Sequence, residues 1–258
     1  MFHAADELQY NDSRLAELYD TLNEWGEDNA FYMQTAGTTP VRILDAGCGT
    51  GLLAVALARA GHTVVGVDPA GAMLRVAQNR PDSHLVQWRQ STLQAFHSEA
   101  PFDLIIMAGN AFQVFLTDEA MAAAFAAAAR LLGPAGRFVF ESRNPAARAW
   151  ERWTQARTTE TAESPAGHPF TMYHQFLDVA GEIVRFASVF QLPTEPEPIY
   201  TETRIRFAPL ATIKRLAAGA GLVLQDGYGD WDRSPLTADS RKMILTFVPI
   251  QEKRAATD

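Results

Sequence analysis

The chain has 258 residues, enough for one large α/β domain with an insertion, and two fully independent domains are less expected. Hydrophobic residues make up 47% and charged residues 20%, with no apolar run long enough to span a bilayer and no charged-apolar-small start, so a cytoplasmic protein without a membrane partner is expected. A net charge of −8 at pH 7 weighs against long nucleic acid as a partner, and a single cysteine, Cys48, excludes an intrachain disulfide and a multi-cysteine metal site.

In chain order, residues 4–34 read as amphipathic helix, with Leu8, Leu15, Leu18, Tyr19 and Leu22 recurring at helical spacing. Val41, Ile43 and Leu44 then form a short apolar run beside the glycine-rich turn Asp45-Ala46-Gly47-Cys48-Gly49-Thr50-Gly51, and an alanine- and leucine-rich helix follows, closed by Gly61. Thr63 to Val67 is a second β-branched run that ends at Asp68, which makes the unit β-α-β with its turn at the carboxyl ends of parallel strands. Open α/β sheets bind ligands at that edge.

Glycines at alternate positions let a flat ligand lie against the main chain. A dinucleotide fingerprint would place its third glycine or alanine where Leu52 stands, and the Asp45 carboxylate would repel a pyrophosphate resting on the helix. A cofactor carrying cationic groups would instead be attracted by Asp45. Asp68 is placed to accept hydrogen bonds from ribose hydroxyls, a need shared by both kinds of nucleotide cofactor.

On these residues the chain resembles the class I S-adenosylmethionine-dependent methyltransferases, whose first motif is an acid, Gly-x-Gly-x-Gly, and a second acid ending the next strand. Asp45, Gly47, Gly49, Gly51 and Asp68 match it, and Pro69, Met73 and Leu74 extend the likeness. The resemblance implies S-adenosylmethionine as cofactor, bound by Asp45, Ala46, Gly47, Gly49, Gly51, Asp68 and Pro69, with Met73 against the adenine. It also implies an N-terminal helical lid, in which the Tyr19-Asp20 pair resembles the family's own and Tyr19 contacts the cofactor. Where family members often carry an acid for the adenine amino group, this chain has Thr92, with Leu93 beside it.

Further along, 84–88 reads as the third strand and Phe102 to Met107 as a buried fourth. In the family the exit of that strand faces cofactor and acceptor, which marks Gly109 as a close backbone approach and Asn110, Phe112 and Gln113 as acceptor contacts. A helix over 117–132, capped by Thr117 or Asp118, stops at Gly133-Pro134, and 137–141 is the fifth strand. Residues 145–156 read as a short helix with Trp150 and Trp153, 158–169 as a loop, and 170–179, 182–192 and 199–207 as an antiparallel meander. The chain returns with a helix over 209–220 and strands over 222–228 and 242–248.

The expected fold is α/β, a seven-stranded, mostly parallel, doubly wound sheet with one antiparallel strand. Residues 1–34 would form the lid, 35–250 the methyltransferase domain, 142–208 a β insertion after the fifth strand covering a small-molecule acceptor, and 251–258 a frayed tail. Oligomeric state is left open. Transfer from a sulfonium to N or O is an in-line displacement in which positioning dominates, so an amine acceptor needs no dedicated base while a hydroxyl usually does. Candidate bases are His174 and Glu141, with His168 more remote, and Arg143 is a candidate partner for an acidic acceptor. No histidine-carboxylate spacing resembles a metal site. The alternatives are a non-catalytic protein that binds the same cofactor and, opposed by Asp45 and Leu52, a nicotinamide-dependent oxidoreductase.

Overall fold

A computed structural model of the chain describes residues 9–250; the start of the expected lid and the expected tail 251–258 lie outside the described residues. The central sheet contains β1 (Arg42–Ala46), β2 (Thr63–Asp68), β3 (Val86–Gln90), β4 (Phe102–Met107), β5 (Leu132–Arg143), β10 (Leu222–Tyr228) and β11 (Lys242–Pro249). Its strand order is β10-β11-β5-β4-β1-β2-β3. The first five strands run parallel, and β11, lying between β5 and β10, is antiparallel to both.

Why these apolar strands are buried follows from side-chain alternation. Leu44, Val65, Ile105, Met107, Phe138, Phe140 and Leu245 face one core, completed by helices α5 (Asp118–Leu131) and α6 (Leu210–Gly219). Ile43, Val64, Leu104, Ile106, Val139 and Ile244 face the other, covered by α2 (Glu27–Ala36) and α3 (Leu52–Arg59). Helices on both faces make the sheet doubly wound.

The expected N-terminal helix is two helices. Helix α1 (Ser13–Leu22) ends at Asn23, and α2 begins after Gly26, whose backbone N–H donates to Asn29 Oδ1 at 3.0 Å. Leu15 packs with Met172 and Phe190 of the insertion, while Ala16 and Tyr19 pack with Ala70, Ala72 and Met73 at the start of α4 (Gly71–Asn79). The α1 helix is thus wedged between insertion and central domain.

Two further expectations change. The third strand starts later, because Ser83–Leu85 is a turn of 3-10 helix. The loop expected over 158–169 contains a fourth insertion strand, β6 (Glu160–Glu163), next to β7 (Pro169–Ala180), β8 (Ile183–Gln191) and β9 (Ile199–Arg206) in the order β6-β7-β8-β9. β6 is a mostly exposed edge strand, so no apolar alternation marks it. In place of the short helix, 145–158 forms 3-10 turns and one helical turn that seat Trp150 and Trp153 against Phe207.

Candidate cofactor and acceptor site

The carboxyl ends of β1, β2, β4 and β5 converge on one edge of the sheet, and the glycine turn closes it. Gly47 and Cys48 donate backbone hydrogen bonds to Val67 O at 2.7 and 3.1 Å, which pins the turn to the end of β2. Gly47, Gly49 and Gly51 have φ of 78°, 52° and 77°, in the region that side chains disfavour. Their surroundings differ. A Cβ on Gly51 would lie 2.5 Å from the Trp88 ring, and one on Gly66 2.6 Å from it, so both make room for that indole beneath the turn. A Cβ on Gly49 would meet nothing within 4 Å, which leaves its peptide open to a ligand. Burial pushes the Cys48 thiol up, with the Asp45 and Asp68 charges acting the same way, so it is a packed thiol rather than a nucleophile.

Two buried acids flank the turn. Asp68 accepts Gly49 N–H on one oxygen and Ala70 N–H on the other, both at 2.8 Å. Those bonds fix the carboxylate and leave each oxygen a lone pair for a diol. Burial raises its pKa, against the lowering effect of the two N–H donors. Asp45 is 2% exposed and accepts no hydrogen bond among the described residues. Burial, and then the charge of Asp68, push it up to about 7. A desolvated carboxylate without a donor is costly, and a cation placed beside it relieves that cost. The open Gly49 peptide, the diol acceptor Asp68 and the unpartnered Asp45 fit S-adenosylmethionine: a nucleoside at one end and cationic groups at the other.

The lid is tied directly to this turn. Asp20 accepts Thr50 Oγ1 at 2.5 Å and forms an ion pair with Arg80, whose Nε donates to Thr50 O at 3.1 Å. Tyr19 is one residue away, and its hydroxyl lies 3.7 Å from the position a Gly109 Cβ would take. Burial raises the Tyr19 pKa, with Tyr10 and Asp68 adding to it, so it is a neutral phenol. Asp20→Ala is expected to speed release of S-adenosylhomocysteine by about tenfold, the value of roughly one charge-assisted contact, with little change in global melting. Competition-chase kinetics would show it, and an unchanged release rate would mean that α1 is not latched through Asp20.

Around the adenine end, Met73 is buried under α1, and Pro69 O accepts from Gln90 Nε2 at 3.2 Å. Thr92 Oγ1 accepts Ala95 N–H at 3.3 Å, and Leu93 is buried in the core. Ala46 is buried at the end of β1.

On the acceptor side the nominated residues take different places. Phe112 is 1% exposed and stacks on Phe140 at 3.8 Å among Phe125 and Phe138, so it is a core residue and not an acceptor contact. Gln113, also 1% exposed, spends both ends of its amide inside the protein: Nε2 donates to Arg206 O at 2.9 Å and Oε1 accepts from Arg143 Nη1 at 2.8 Å. It positions Arg143 rather than meeting a ligand itself. Asn110 sits at φ 59°, and its N–H donates to Glu141 Oε1 at 2.5 Å. The other Glu141 oxygen accepts from Tyr32 O–H. Burial raises the Glu141 pKa, but both oxygens are engaged, so it acts as an anchor for the β4 exit and not as an open base.

Arg143 and His174 do come together. The Arg143 guanidinium lies 5.4 Å from the centroid of Trp153, and the Trp153 ring is 6.4 Å from that of His174 and 4.7 Å from Phe186. His174 Nδ1 is 3.0 Å from Ser188 Oγ, which in turn reaches Gln9 Oε1 at 3.4 Å. Burial, reinforced by the Arg143 charge, pulls His174 down to about 4, so its ring is neutral at neutral pH. His168 lies apart on the exposed β6–β7 turn. Sequence reasoning gave no role to Tyr10, Trp153, Ser188 or Gln9 in this chamber. Only the register His174↔Ser188 between β7 and β8 brings the second pair's partner into view.

A doubly wound sheet with one antiparallel strand, an acid-flanked glycine turn and a second acid ending β2 make up the arrangement that the resemblance to class I methyltransferases implies. The comparisons agree. Residues 43–136, from β1 to the start of β5, match the methyltransferase domain family. The chain is 28% identical over 206 residues to a cypemycin N-terminal methyltransferase from Streptomyces, covering 80% of this chain and 82% of that protein. It is 36% identical over 115 residues to a ubiquinone biosynthesis O-methyltransferase from Paracidovorax citrulli, covering 42% of this chain and 46%, under half, of that protein. In fold it is similar to the CcbJ methyltransferase from Streptomyces caelestis, with a TM-score of 0.72 and 24% identity over 95% of this chain and all of that one. Residues 43–136 thus carry a methyltransferase domain, and in sequence and fold the chain is similar to S-adenosylmethionine-dependent methyltransferases.

Proposed function

We propose that this chain is a cytoplasmic enzyme that methylates nitrogen or oxygen of a small-molecule acceptor enclosed between the central sheet, α1 and the β insertion. The observation that carries this reading is the packing at the insertion: α1 packs at once on the insertion through Leu15 and on the start of α4 through Ala16, and the buried His174 lies close enough to Arg143 to feel its charge. A covered chamber suits a small acceptor, and the net charge of −8 disfavours long nucleic acid. The relatives named as an N-terminal methyltransferase and as an O-methyltransferase support keeping both nitrogen and oxygen in this reading.

S-adenosylmethionine, when bound, supplies an activated methyl group on a positively charged sulfur. The chain's residues do the rest. Asp68 and the open Gly49 peptide hold the nucleoside, Asp45 favours the cationic end, and Tyr19, its hydroxyl beside Gly109, closes the site from the lid. Orientation contributes most, because a well-aligned acceptor can gain about 7–11 kcal/mol over a free encounter. His174, neutral and held through Nδ1 by Ser188, presents Nε2 as a hydrogen-bond acceptor that orients the N–H or O–H of the acceptor when Nδ1 carries the hydrogen, while burial and Arg143 keep it too weak a base to hold the proton.

The test is release of S-adenosylhomocysteine from S-adenosylmethionine with a panel of small amines and phenols. Turnover with any of them supports the reading; binding without turnover across the panel would favour a non-catalytic protein. For an acceptor that turns over, His174→Phe is expected to lower kcat/KM about tenfold, the worth of one orienting hydrogen bond, with cofactor affinity kept. An unchanged kcat/KM would remove His174 from acceptor positioning.

A further inference from the structure

We infer that the acceptor carries a carboxylate, seated on the Arg143 guanidinium against the aromatic wall of Trp153. This rests on the methyltransferase reading and names the substrate class of the same site.

Arg143 stands at the end of β5, on the sheet edge where Asp45, Asp68 and Asn110 converge. Its guanidinium is built into place from two sides. Gln113 accepts from Nη1 at 2.8 Å and is itself fixed by its bond to Arg206 O, while the indole of Trp153 lies beneath the planar cation. No carboxylate forms an ion pair with it among the described residues, in contrast to Arg80 and Arg206, which are both paired to acids. Glu141, the nearest acid acting on it, is occupied by Tyr32 O–H and Asn110 N–H. Nη2 and Nε are bonded to no protein group among the described residues, and neither is a sealed, unsatisfied atom. They remain free to make the paired contact that a guanidinium offers a carboxylate.

Apart from Glu141, whose oxygens are already engaged, the groups facing Arg143 add no counter-charge. Tyr10 and Tyr19 of the lid are neutral phenols, and His174 is neutral because burial and Arg143 itself disfavour its charge. The guanidinium therefore offers one fixed positive charge with aromatic surface on one side, while Asp45 and Asp68 hold the cofactor side of the same edge. An amine or hydroxyl acceptor that also bears a carboxylate is drawn in by the latter, with the nucleophile left to turn toward the cofactor. The wall of Trp153 and Phe186, 4.7 Å apart, favours a flat or hydrocarbon body between the two groups.

The experiment uses the full chain saturated with S-adenosylhomocysteine and titrates matched probes, benzoate against benzamide and 3-phenylpropanoate against its amide, by ligand-observed NMR. Each carboxylate is expected to bind about tenfold more tightly than its amide, as one charge-assisted contact would give. In Arg143→Gln that preference should fall to near unity, with partial recovery in Arg143→Lys and with S-adenosylhomocysteine affinity and melting temperature held near wild type. Equal binding of carboxylates and amides, or no binding of either, overturns the inference and leaves the cofactor reading standing. A loss of S-adenosylhomocysteine affinity in Arg143→Gln as large as the loss of probe affinity also overturns it, because the guanidinium would then serve the cofactor's own carboxylate. Failure of wild type to bind S-adenosylhomocysteine overturns both.

Discussion

Replacing Asp68 by alanine is expected to weaken S-adenosylmethionine binding by roughly a hundredfold to about ten-thousandfold, the worth of two hydrogen bonds to an ionised acceptor at about 1.5–3 kcal/mol each. The protein should stay folded. Its carboxylate accepts Gly49 N–H and Ala70 N–H, so the variant loses two backbone bonds, but it also sheds a buried charge that burial makes unfavourable. Asparagine is no conservative substitute here. Its single oxygen can face only one of the two N–H groups, and its NH2 must point at the other donor. Asp68→Asn is therefore expected to resemble Asp68→Ala in calorimetry. Near-native affinity in either variant would take the nucleoside away from Asp68.

Asp45→Asn should move stability and affinity in opposite directions. In the ligand-free protein Asp45 is buried without a hydrogen-bond donor among the described residues and titrates at about 7. Its folded pKa lies above the unfolded one, so the native state holds the extra proton between the two values. Stability is then greatest in acid and falls as pH rises through about 4 to about 7, by up to roughly 4 kcal/mol. Removing the ionisable group should raise the melting temperature of the ligand-free protein above neutral pH and flatten its pH dependence. The same change deletes the partner of the cationic end of the cofactor, so S-adenosylmethionine affinity should fall while adenosine affinity barely changes. Equal losses for both ligands would refute the charge role, and a drop in ligand-free stability would show that Asp45 is not an unrelieved buried charge.

Much of this site could be read from sequence because its chemistry is contiguous. Asp45, the three glycines and Asp68 lie within one β-α-β unit, and strand geometry alone sends them to one edge. The strands Phe102–Met107 and Leu222–Tyr228 were legible to the residue, since apolar runs bounded by breakers leave little choice. Long-range partners were not legible. Gln113 looked like an acceptor contact because its amide is polar and sits at a strand exit, but its role depends on Arg206, 93 residues away. Phe112 shares that exit, and only the stacking on Phe140 shows that it turns inward. Gly51 takes the positive φ expected of the motif, and its lack of a side chain also makes room for Trp88 on β3, a packing role that only the structure reveals. The exposed edge strand β6 carries no periodic signal at all.

The most direct test is calorimetric titration of the wild-type chain with S-adenosylmethionine, S-adenosylhomocysteine and NAD at about pH 6 and about pH 7.5. With Asp45 ionising near 7, S-adenosylmethionine should bind and do so roughly eightfold more tightly at the higher pH, as the ionised fraction of the carboxylate grows. NAD should give no heat. Binding of NAD without either sulfur nucleoside would contradict a methyltransferase site at this turn, and S-adenosylmethionine affinity independent of pH would contradict the part assigned to Asp45.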